Sequence, residues 1–333
     1  MWLKVLGSLA ALGAAHYLFR RVWKGDRTKV LPPPQERIVI LGASSVNGIG
    51  AAIAQRCLDR GSYNNMLVGR RSDALREVKM ALIAAQETEE GKARAEQLEL
   101  FVADCSDYED VLRLSLAITR DFGGLDTLYV VFGAISTQSL LGVAGMDPAA
   151  GSQQTEPTLE NLRDVSDTAG KLCAANVTGT ALVFTALIPH LQTNSKSPYV
   201  VVIGSLGSLV WAPTRSLYCG TKSAQQMLTL SVAAECTTQA RVEGRKLVRF
   251  AILAPSTVAT SFTTRLAVGA KGPLSRTVGN MLTPKDVGDI AVRCADTNRT
   301  GVVPVPSKYF FAWLLAPLLP GTIERAAHRR YGY

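Results

Sequence analysis

The sequence lacks any close pairing of cysteines. Its six cysteines are dispersed, with neither a C-x-x-C pair nor a metal-ligand spacing. We therefore expect no metal site, and the simplest interpretation is a main domain in a reducing compartment. The residues concerned are Cys57, Cys105, Cys173, Cys219, Cys236 and Cys294.

The middle of the chain has almost no net charge, and no internal repeat is present. The formal net charge is +9, but residues 1–30 hold six Lys or Arg against one Asp, and residues 308–333 hold four against one Glu. The two ends therefore carry most of the excess charge, and both adjoin apolar runs. This distribution favours membrane lipid as a partner, and we expect no nucleic acid to bind.

An apolar run occupies residues 3–19, interrupted by Lys4 and His16 and followed by basic residues. Its length is at the short end of the roughly 17–25 residues that a membrane-spanning helix needs. We predict that residues 1–24 form a membrane anchor or interfacial helix, with the next domain in the cytosol on the endoplasmic reticulum or a lipid droplet. A cleaved signal peptide and a docked helix are the alternatives. Residues 25–36 are assigned to a basic, proline-rich linker.

Short β-branched runs alternate with longer helical patterns over residues 37–306. This alternation predicts one α/β domain with a Rossmann-like, doubly wound, seven-stranded parallel sheet and helices on both faces. The predicted strands are 37–42, 65–69, 98–104, 126–133, 197–205, 246–255 and 300–306. The predicted helices are 49–60, 72–90, 107–121, 158–192, 216–239 and 284–297, with Asp107 and Thr283 as helix starts. We expect the segments 136–157 and 261–282 to cover the substrate.

The first strand is followed by the glycine-rich stretch "GASSVNGIG" and then by a helical pattern. Strand, glycine turn and helix are the context that a dinucleotide-binding loop requires, because the helix N-terminus offers free N–H groups to a pyrophosphate. The loop is weak evidence when taken alone. Its predicted cofactor-binding residues are Gly42, Ser44, Ser45, Asn47, Gly48, Ile49 and Gly50.

Arg70 and Arg71 end the second strand, where an NAD-selective site would offer an acidic residue to the ribose. Guanidinium groups suit the 2′-phosphate of NADP(H), which we predict as the preferred cofactor, with NAD(H) as the alternative. A solvated helix start would also explain the two arginines. Asp104 closes the third strand and is predicted to contact the adenine, although a strand-end turn explains it nearly as well.

Ser205, Tyr218 and Lys222 carry the predicted chemistry. Positions i and i+4 share a helix face, so Lys222 can place its ammonium beside Tyr218. A neighbouring cation lowers the pKa of a phenol, which would make Tyr218 a proton donor and acceptor near neutral pH. The alternative is that both are ordinary residues of an amphipathic helix.

The ordered set of glycine loop, "NVTGT", Ser205, Tyr218-x-x-x-Lys222 and "PSTVAT" resembles the short-chain dehydrogenase/reductase family over roughly residues 36–306. The resemblance implies that Tyr218 gives a proton to the substrate oxygen, Ser205 hydrogen-bonds that oxygen, and Lys222 lowers the Tyr218 pKa and binds the nicotinamide ribose. It implies that Asn176 positions Lys222 through water. The remaining residues expected at the nicotinamide are Gly133, Pro255, Thr257, Val258 and Thr260.

Three departures from the family pattern stand out. "VVFG" ending at Gly133 replaces Asn-Asn-Ala-Gly, and Pro255-Ser256 replaces Pro-Gly. The glycine loop has two extra residues, a spacing similar to the enoyl-reductase branch, which places its lysine further beyond the tyrosine. Lys222 at i+4 therefore favours carbonyl and alcohol chemistry. We assign the chain to a membrane-anchored, fungal-like branch with an extended glycine loop.

The C-terminal segment 307–333 has an apolar stretch from Tyr309 to Leu319, followed by arginines. It is too short to span a membrane and is predicted either to lie at the membrane surface or to pack on the domain. Both apolar ends favour a hydrophobic substrate such as a steroid, retinoid, sphingoid or fatty-acyl ketone. The predicted function is ketone and secondary-alcohol interconversion with NADP(H). A cofactor-binding membrane scaffold or redox sensor is the alternative, and a homo-oligomer is left open.

Overall fold

A computed structural model describes residues 25–242, 244–260, 262 and 281–331. Seven strands form one sheet in which every pair is parallel. The strands are β1 Ile38–Leu41, β2 Asn65–Gly69, β3 Glu99–Val102, β4 Thr127–Val130, β5 Tyr199–Ile203, β6 Arg249–Pro255 and β7 Gly301–Val305. Their order across the sheet is β3-β2-β1-β4-β5-β6-β7. The predicted fold class is confirmed.

The helices follow the predicted pattern with two differences. The helices are α1 Ile49–Asp59, α2 Ser72–Ala84, α3 Glu89–Glu96, α4 Tyr108–Arg120, α5 Leu140–Val143, α6 Leu159–Cys173, α7 Gly179–Asn194, α8 Ser216–Val242, α9 Pro284–Asp296, α10 Tyr309–Leu315 and α11 Pro320–Tyr331. The predicted helix 72–90 is interrupted, because Thr88 caps a new helix by accepting a hydrogen bond from the Gly91 N–H. A π-helical turn at Ala174–Thr178 joins α6 to α7.

The predicted helix starts at Asp107 and Thr283 are confirmed. The Asp107 carboxylate accepts hydrogen bonds from the first-turn N–H groups of α4. Thr283 and Asp286 form a reciprocal capping box at the start of α9. These side chains satisfy backbone donors that would otherwise lack partners.

Two layers of helices bury the two faces of the sheet. On one face α1, α2 and α9 pack against strand residues such as Ile38 and Ile40, which are fully buried. On the other face α4, α7 and α8 pack against the alternate residues, such as Val39 and Leu41. Because both faces of the central strands are covered, these strands are apolar at nearly every position, as expected for a parallel sheet, whereas the edge strand β3 is partly exposed.

The strand order reverses between β1 and β4. The chain proceeds from β1 outward to β3 and then returns to β4 on the other side of β1. In open α/β sheets a crevice forms at this point outside the carboxyl ends of the strands, and ligands bind there. The loops after β1, β2, β4 and β5 are therefore the ones that can build a site.

Residues 25–36, assigned above to a linker, pack against the amino edge of the sheet. Arg27 is buried, and its guanidinium donates to the Ser197 carbonyl at 2.8 Å, the Glu36 carboxylate at 2.5 Å and the Thr127 hydroxyl at 2.7 Å. The domain boundary at residue 37 stays a prediction, but this segment is attached to the folded unit rather than being a free spacer.

One described helix is long and apolar enough to cross a membrane by length and composition, the continuous stretch Leu159–Asn194. Its side chains Val183, Leu187 and Leu191 are fully buried against the sheet, so we interpret it as a core helix. The predicted anchor 1–24 lies outside the described residues, as does most of the predicted substrate cover at 261–282.

Candidate active site

The glycine loop begins at the end of β1, where its backbone contacts the end of β4. Gly42 has a φ of +95°, and a Cβ there would lie 2.5 Å from the Phe132 nitrogen. A Cβ on Gly50 would lie 2.7 Å from the Gly42 carbonyl oxygen. Glycine is required at both positions because any side chain would collide with backbone that cannot move independently.

The two extra residues of the loop form an outward turn. The Gly48 N–H donates to the Ser45 carbonyl at 2.9 Å, and Val46 and Asn47 between them are exposed. Helix α1 starts directly after this turn at Ile49, and no side-chain hydrogen bond caps it at Gly48. Its first N–H groups thus have no capping side chain at Gly48, as phosphate binding requires.

Arg71 lies over the glycine loop. Its guanidinium donates from Nη2 to the Ser44 carbonyl at 2.9 Å. A Cβ on Gly69 would lie 2.9 Å from the Ser44 Cβ, so the end of β2 and the loop are in close contact. The structure therefore brings together the predicted phosphate loop and the arginine predicted to recognise a 2′-phosphate.

Arg70 points to a different partner. Its side chain is 67% exposed, and its guanidinium lies 3.6 Å from the Asp104 carboxylate. Asp104 also accepts hydrogen bonds from the Ser106 N–H and hydroxyl, which close a turn after β3. Burial raises the pKa of Asp104, but its bonds with Ser106 and the charge of Arg70 outweigh that effect and lower it. These contacts fit a strand-end turn, one of the two alternatives for Asp104.

Tyr218 and Ser205 are brought together at the carboxyl edge of the sheet. Ser205 follows β5, and Tyr218 lies in the first turn of α8. Burial raises the pKa of the Tyr218 phenol to about 12, and a hydrogen bond with Ser205 partly opposes this shift. The pair can present a hydroxyl and a phenol to one substrate oxygen.

Lys222 does not bond to Tyr218. Its Nζ donates to the Ile203 carbonyl at 3.1 Å and to Gln225 Oε1 at 2.8 Å. Burial lowers the pKa of the Lys222 ammonium to about 7. Its two hydrogen-bond acceptors are both uncharged, so neither carries a negative charge that would offset this effect. The expectation that Lys222 lowers the Tyr218 pKa is therefore not met in this structure, where the phenol pKa lies above its ordinary value.

Asn176 lies in the π-helical turn, is fully buried, and connects β4 to α8. Its side chain accepts from the Ala134 N–H at 2.9 Å and donates to the Ala134 carbonyl and to the Thr221 hydroxyl, each at 2.9 Å. A Cβ on Gly133 would lie 2.7 Å from Asn176 Oδ1. Gly133 thus leaves room for the Asn176 side chain. Asn176 hydrogen-bonds directly to Thr221, the residue that precedes Lys222.

Sequence reasoning missed Gln225. This side chain is buried, accepts from Lys222, and donates from Nε2 to the Thr180 hydroxyl at 2.8 Å. Thr180 in turn donates to the Asn176 carbonyl at 2.9 Å. A polar residue three positions after Lys222 on the buried face of the same helix was the available signal.

The segment after β6 is held at the same edge. Ser256 N–H donates to the Val305 carbonyl at 2.8 Å, and Leu282 N–H donates to the Thr257 carbonyl at 2.9 Å. Val258 pairs with Leu282, while Pro255 ends β6 and the Thr260 N–H bonds to Val258. The backbone of residues 255–260 is thus fixed beside the crevice, where the nicotinamide end was predicted.

The residues present fit a nicotinamide dinucleotide. A glycine cradle, an uncapped helix N-terminus and a guanidinium lie together on the β1 and β2 side of the crevice. The Ser205 and Tyr218 pair lies beyond β4 on the β5 side. Among the described residues no three His, Cys, Asp or Glu side chains group as metal ligands.

Comparison with known proteins identifies the family. The sequence model of the short chain dehydrogenase family matches residues 36–269. The chain is 31% identical over 203 residues to a 2-(R)-hydroxypropyl-CoM dehydrogenase of Xanthobacter autotrophicus, covering 59% of this chain and 67% of that protein. It is 29% identical over 134 residues to an inactive 2-(S)-hydroxypropyl-CoM dehydrogenase 2 of the same organism, covering 38% of this chain but 55% of that protein.

A mouse relative, dehydrogenase/reductase SDR family member 4, is 29% identical over 39% of this chain and 44% of its own length. Among solved structures, an alcohol dehydrogenase from Thermococcus sibiricus complexed with 5-hydroxy-NADP superposes with a TM-score of 0.57 and 23% identity, covering 81% of this chain and 95% of the other. That similarity shows the shared fold. The family match over residues 36–269 establishes that the chain belongs to the short-chain dehydrogenases, oxidoreductases that act on CH–OH groups and bind NAD(P).

Proposed function

We propose that the protein interconverts a ketone and a secondary alcohol on a hydrophobic substrate and prefers NADP(H) as its cofactor, with NAD(H) as the alternative. The observation that carries this proposal is the Tyr218 and Ser205 pair at the carboxyl edge, across the crevice from the glycine loop. NADPH supplies a hydride when bound. Tyr218 gives a proton from its hydroxyl to the substrate oxygen, and Ser205 holds that oxygen in place.

The substrate class is a lipid-like ketone or alcohol such as a steroid, retinoid, sphingoid or fatty-acyl compound. Large apolar side chains exposed on α10 support this proposal. They also support association with membrane lipid. The location on the endoplasmic reticulum or a lipid droplet with the domain in the cytosol, and the membrane-anchored, fungal-like branch, are proposed from the sequence alone. A homo-oligomer is proposed because a cleft between α7 and α8 is lined by Phe184, Ile188, Leu228 and Val232.

The direct test of this function is a turnover screen. The full chain is incubated with NADPH and a panel of hydrophobic ketones, and NADPH consumption is followed by its absorbance. We expect turnover with at least one ketone. A cofactor-binding scaffold or redox sensor is the second candidate, because one relative carries the name inactive and because Lys222 is not bonded to Tyr218. NADPH binding without turnover on any ketone would favour that second candidate.

The cofactor preference is tested at Arg71. We expect Arg71→Ala to lower the ratio of NADPH to NADH affinity by ~10-fold or more, because a hydrogen bond to a charged group is worth about 1.5–3 kcal/mol. Dissociation constants of both cofactors, measured by fluorescence titration, give the ratio. Arg70→Ala should have a smaller effect, since Arg70 is paired with Asp104.

Arg76→Ala is the matched control, because Arg76 lies on α2, the helix that Arg71 precedes, but pairs with Asp73 at 3.1 Å. Its ratio should equal that of the wild type. An unchanged ratio in the double variant of Arg70 and Arg71 would show that another group holds the phosphate.

The high pKa of Tyr218 predicts the pH dependence of alcohol oxidation. Oxidation needs the phenolate, which is a minor species below the phenol pKa of about 12. We expect kcat/KM for oxidation to rise about tenfold per pH unit from pH ~7 to ~10 without a plateau. Lys222→Met should retain the same slope. A plateau near neutral pH in the wild type that disappears in Lys222→Met would show that Lys222 lowers the phenol pKa during turnover.

A further inference from the structure

The edge strand β7 connects two regions that lie at opposite ends of the sheet. At its amino end, Gly25 lies beside the turn that precedes β7, where a Cβ on Gly25 would be 3.5 Å from Asn298 Nδ2. At its carboxyl end, the chain passes within four residues into α10. The first described residue and the C-terminal helices therefore lie at the two ends of one sheet edge.

The segment after β7 exposes large apolar side chains. Phe311 is 61% exposed and Leu318 is 66% exposed. The others are Trp313, Leu314, Leu315 and Leu319. Several such side chains on one short segment mark an interaction site, because isolated domains rarely leave them in water together.

Basic side chains adjoin this apolar segment. A cleft of about 190 Å³ beside β7 is lined by Arg293, Thr297, Arg299 and Ser307. Arg293 is exposed and makes no side-chain hydrogen bond or ion pair with the described residues. Lys308 is exposed at the start of α10. Apolar side chains next to cations match the surface of an anionic bilayer, in which hydrocarbon lies beneath charged headgroups.

We propose that this edge surface, defined as residues 309–319 together with the Arg293 and Arg299 cleft, lies on an anionic lipid bilayer, with the strands roughly parallel to the membrane. The inference deepens the proposed membrane association and rests on it. Residues 1–24 precede Gly25 and contain the apolar run 3–19. Gly25 lies at the amino end of β7, and α10 follows its carboxyl end. A bilayer that lies along β7 and contacts α10 would therefore also pass close to Gly25, which the apolar run precedes in the sequence.

Charge argues against a second copy of the chain as the occupant. A symmetric dimer through this surface would place the basic clefts of two copies near each other, which is unfavourable. Anionic lipid neutralises the same charges. Lipid is therefore the occupant that fits both the apolar and the basic part of the edge surface.

The C-terminal helices link this surface to the active site. In α11 the Tyr331 ring lies 5.0 Å from the Arg215 guanidinium carbon. Arg215 is buried three residues before Tyr218 and donates to the Thr137 carbonyl at 3.2 Å. The segment of α10 and α11 thus reaches from the edge surface to Arg215, which lies next to the first turn of the helix that carries Tyr218.

The test measures tryptophan fluorescence of the full chain carrying Trp2→Phe and Trp23→Phe, so that Trp211 and Trp313 are its remaining tryptophans. The chain is added to vesicles that contain brominated phosphatidylcholine and phosphatidylserine. Brominated acyl chains quench only tryptophans that enter the hydrocarbon boundary. We expect the lipid-dependent quenching to fall in Trp313→Phe and to be retained in Trp211→Phe, a matched control whose side chain is also exposed but lies after Ser205. Equal quenching in this parent chain and in its Trp313→Phe variant would overturn the proposal.

Vesicle flotation separates this outcome from failure of the proposed membrane association. A chain that does not float with vesicles contradicts membrane association itself, whereas a chain that floats with Trp313 unquenched contradicts only the edge surface.

The charge contribution is tested by Arg293→Gln. We expect it to raise the lipid concentration needed for half-maximal Trp313 quenching, at a fixed phosphatidylserine fraction, by about fivefold, as loss of one surface charge predicts. Arg120→Gln, an exposed arginine on α4, should cause no change, and an equal change in both variants would contradict the role of the cleft.

Discussion

Tyr218→Phe should reduce kcat for ketone reduction by ~10³-fold or more, because it removes the hydroxyl that gives the proton, and acid catalysis of this kind contributes about 10²–10⁴-fold. The aromatic ring is retained, so the packing at the start of α8 should be preserved. The NADPH dissociation constant should stay within about threefold of the wild type, since the phosphate-binding loop lies across the crevice. Stopped-flow or steady-state kinetics and a fluorescence titration measure the two quantities.

Tyr108→Phe is the matched control for this variant. Tyr108 begins α4 after the edge strand β3, is 69% exposed, and belongs to a different helix from Tyr218. It should show wild-type kcat and wild-type cofactor binding. Turnover in Tyr218→Phe equal to that of the control would mean that Tyr218 does not supply the proton.

Glu36→Gln should lower the free energy of unfolding by ~3–5 kcal/mol, the usual cost of breaking a buried ion pair from one side. Glu36 is fully buried and pairs with both Arg27 and Arg60, and Arg60 also pairs with Asp296. Removing the carboxylate charge leaves the buried guanidinium group of Arg27 without its ion-pair partner, and leaves that of Arg60 paired with Asp296 alone. Urea unfolding of the full chain in mild detergent measures the change.

The pH dependence of stability gives a second readout of the same cluster. Burial raises the pKa of Glu36, but the charges of Arg27 and Arg60 and the hydrogen bonds from Arg27 and Thr127 outweigh it, so the folded-state pKa lies below the ordinary value of 4.5. The stabilisation from Glu36 is therefore present above about pH 4.5 and is lost as the pH falls through the lower folded-state value. Glu36→Gln should lack this acid-dependent loss.

Glu87→Gln serves as the control for stability, because Glu87 is exposed. Its free energy of unfolding should stay within about 0.5 kcal/mol of the wild type. A loss of less than about 1 kcal/mol in Glu36→Gln would contradict the claim that residues 25–36 are held to the sheet by this ion-pair cluster.

Most of the fold was predictable from local sequence. The seven apolar runs became the seven strands with ends shifted by at most three residues, because a strand buried on both faces requires apolar side chains at nearly every position. The break at Thr88 was less predictable, since helix propensity continues across it and only the cap identifies the new start.

The proximity of several predicted site residues could be anticipated from the sequence, but their contacts could be anticipated less well. Ser205 and Tyr218 meet as expected, and Arg71 lies over the glycine loop. The environment of Lys222 was not predictable from helical spacing, because it also depends on the carbonyl of Ile203, which ends strand β5. Helical spacing indicates which residues share a face, whereas the pKa of a buried amine depends on every group around it.

The attachment of residues 25–36 also needed the structure. In the sequence this stretch shows only prolines and mixed charges, which are typical of a linker. Its burial depends on Arg27 reaching Thr127 and Ser197, which are 100 and 170 residues away in the chain. No local sequence pattern indicates hydrogen bonds between residues so far apart in the chain, so the sequence alone favoured a free linker.

Deuterium transfer from NADPH labelled at C4 of the nicotinamide tests the central claim most directly. The full chain in vesicles is incubated with both C4-labelled diastereomers in separate reactions and with a panel of hydrophobic ketones, and the products are analysed by mass spectrometry. The account predicts one deuterium on the carbinol carbon from one diastereomer, and product formation that is lost in Tyr218→Phe. NADPH binding with no deuterated alcohol from any ketone would contradict it.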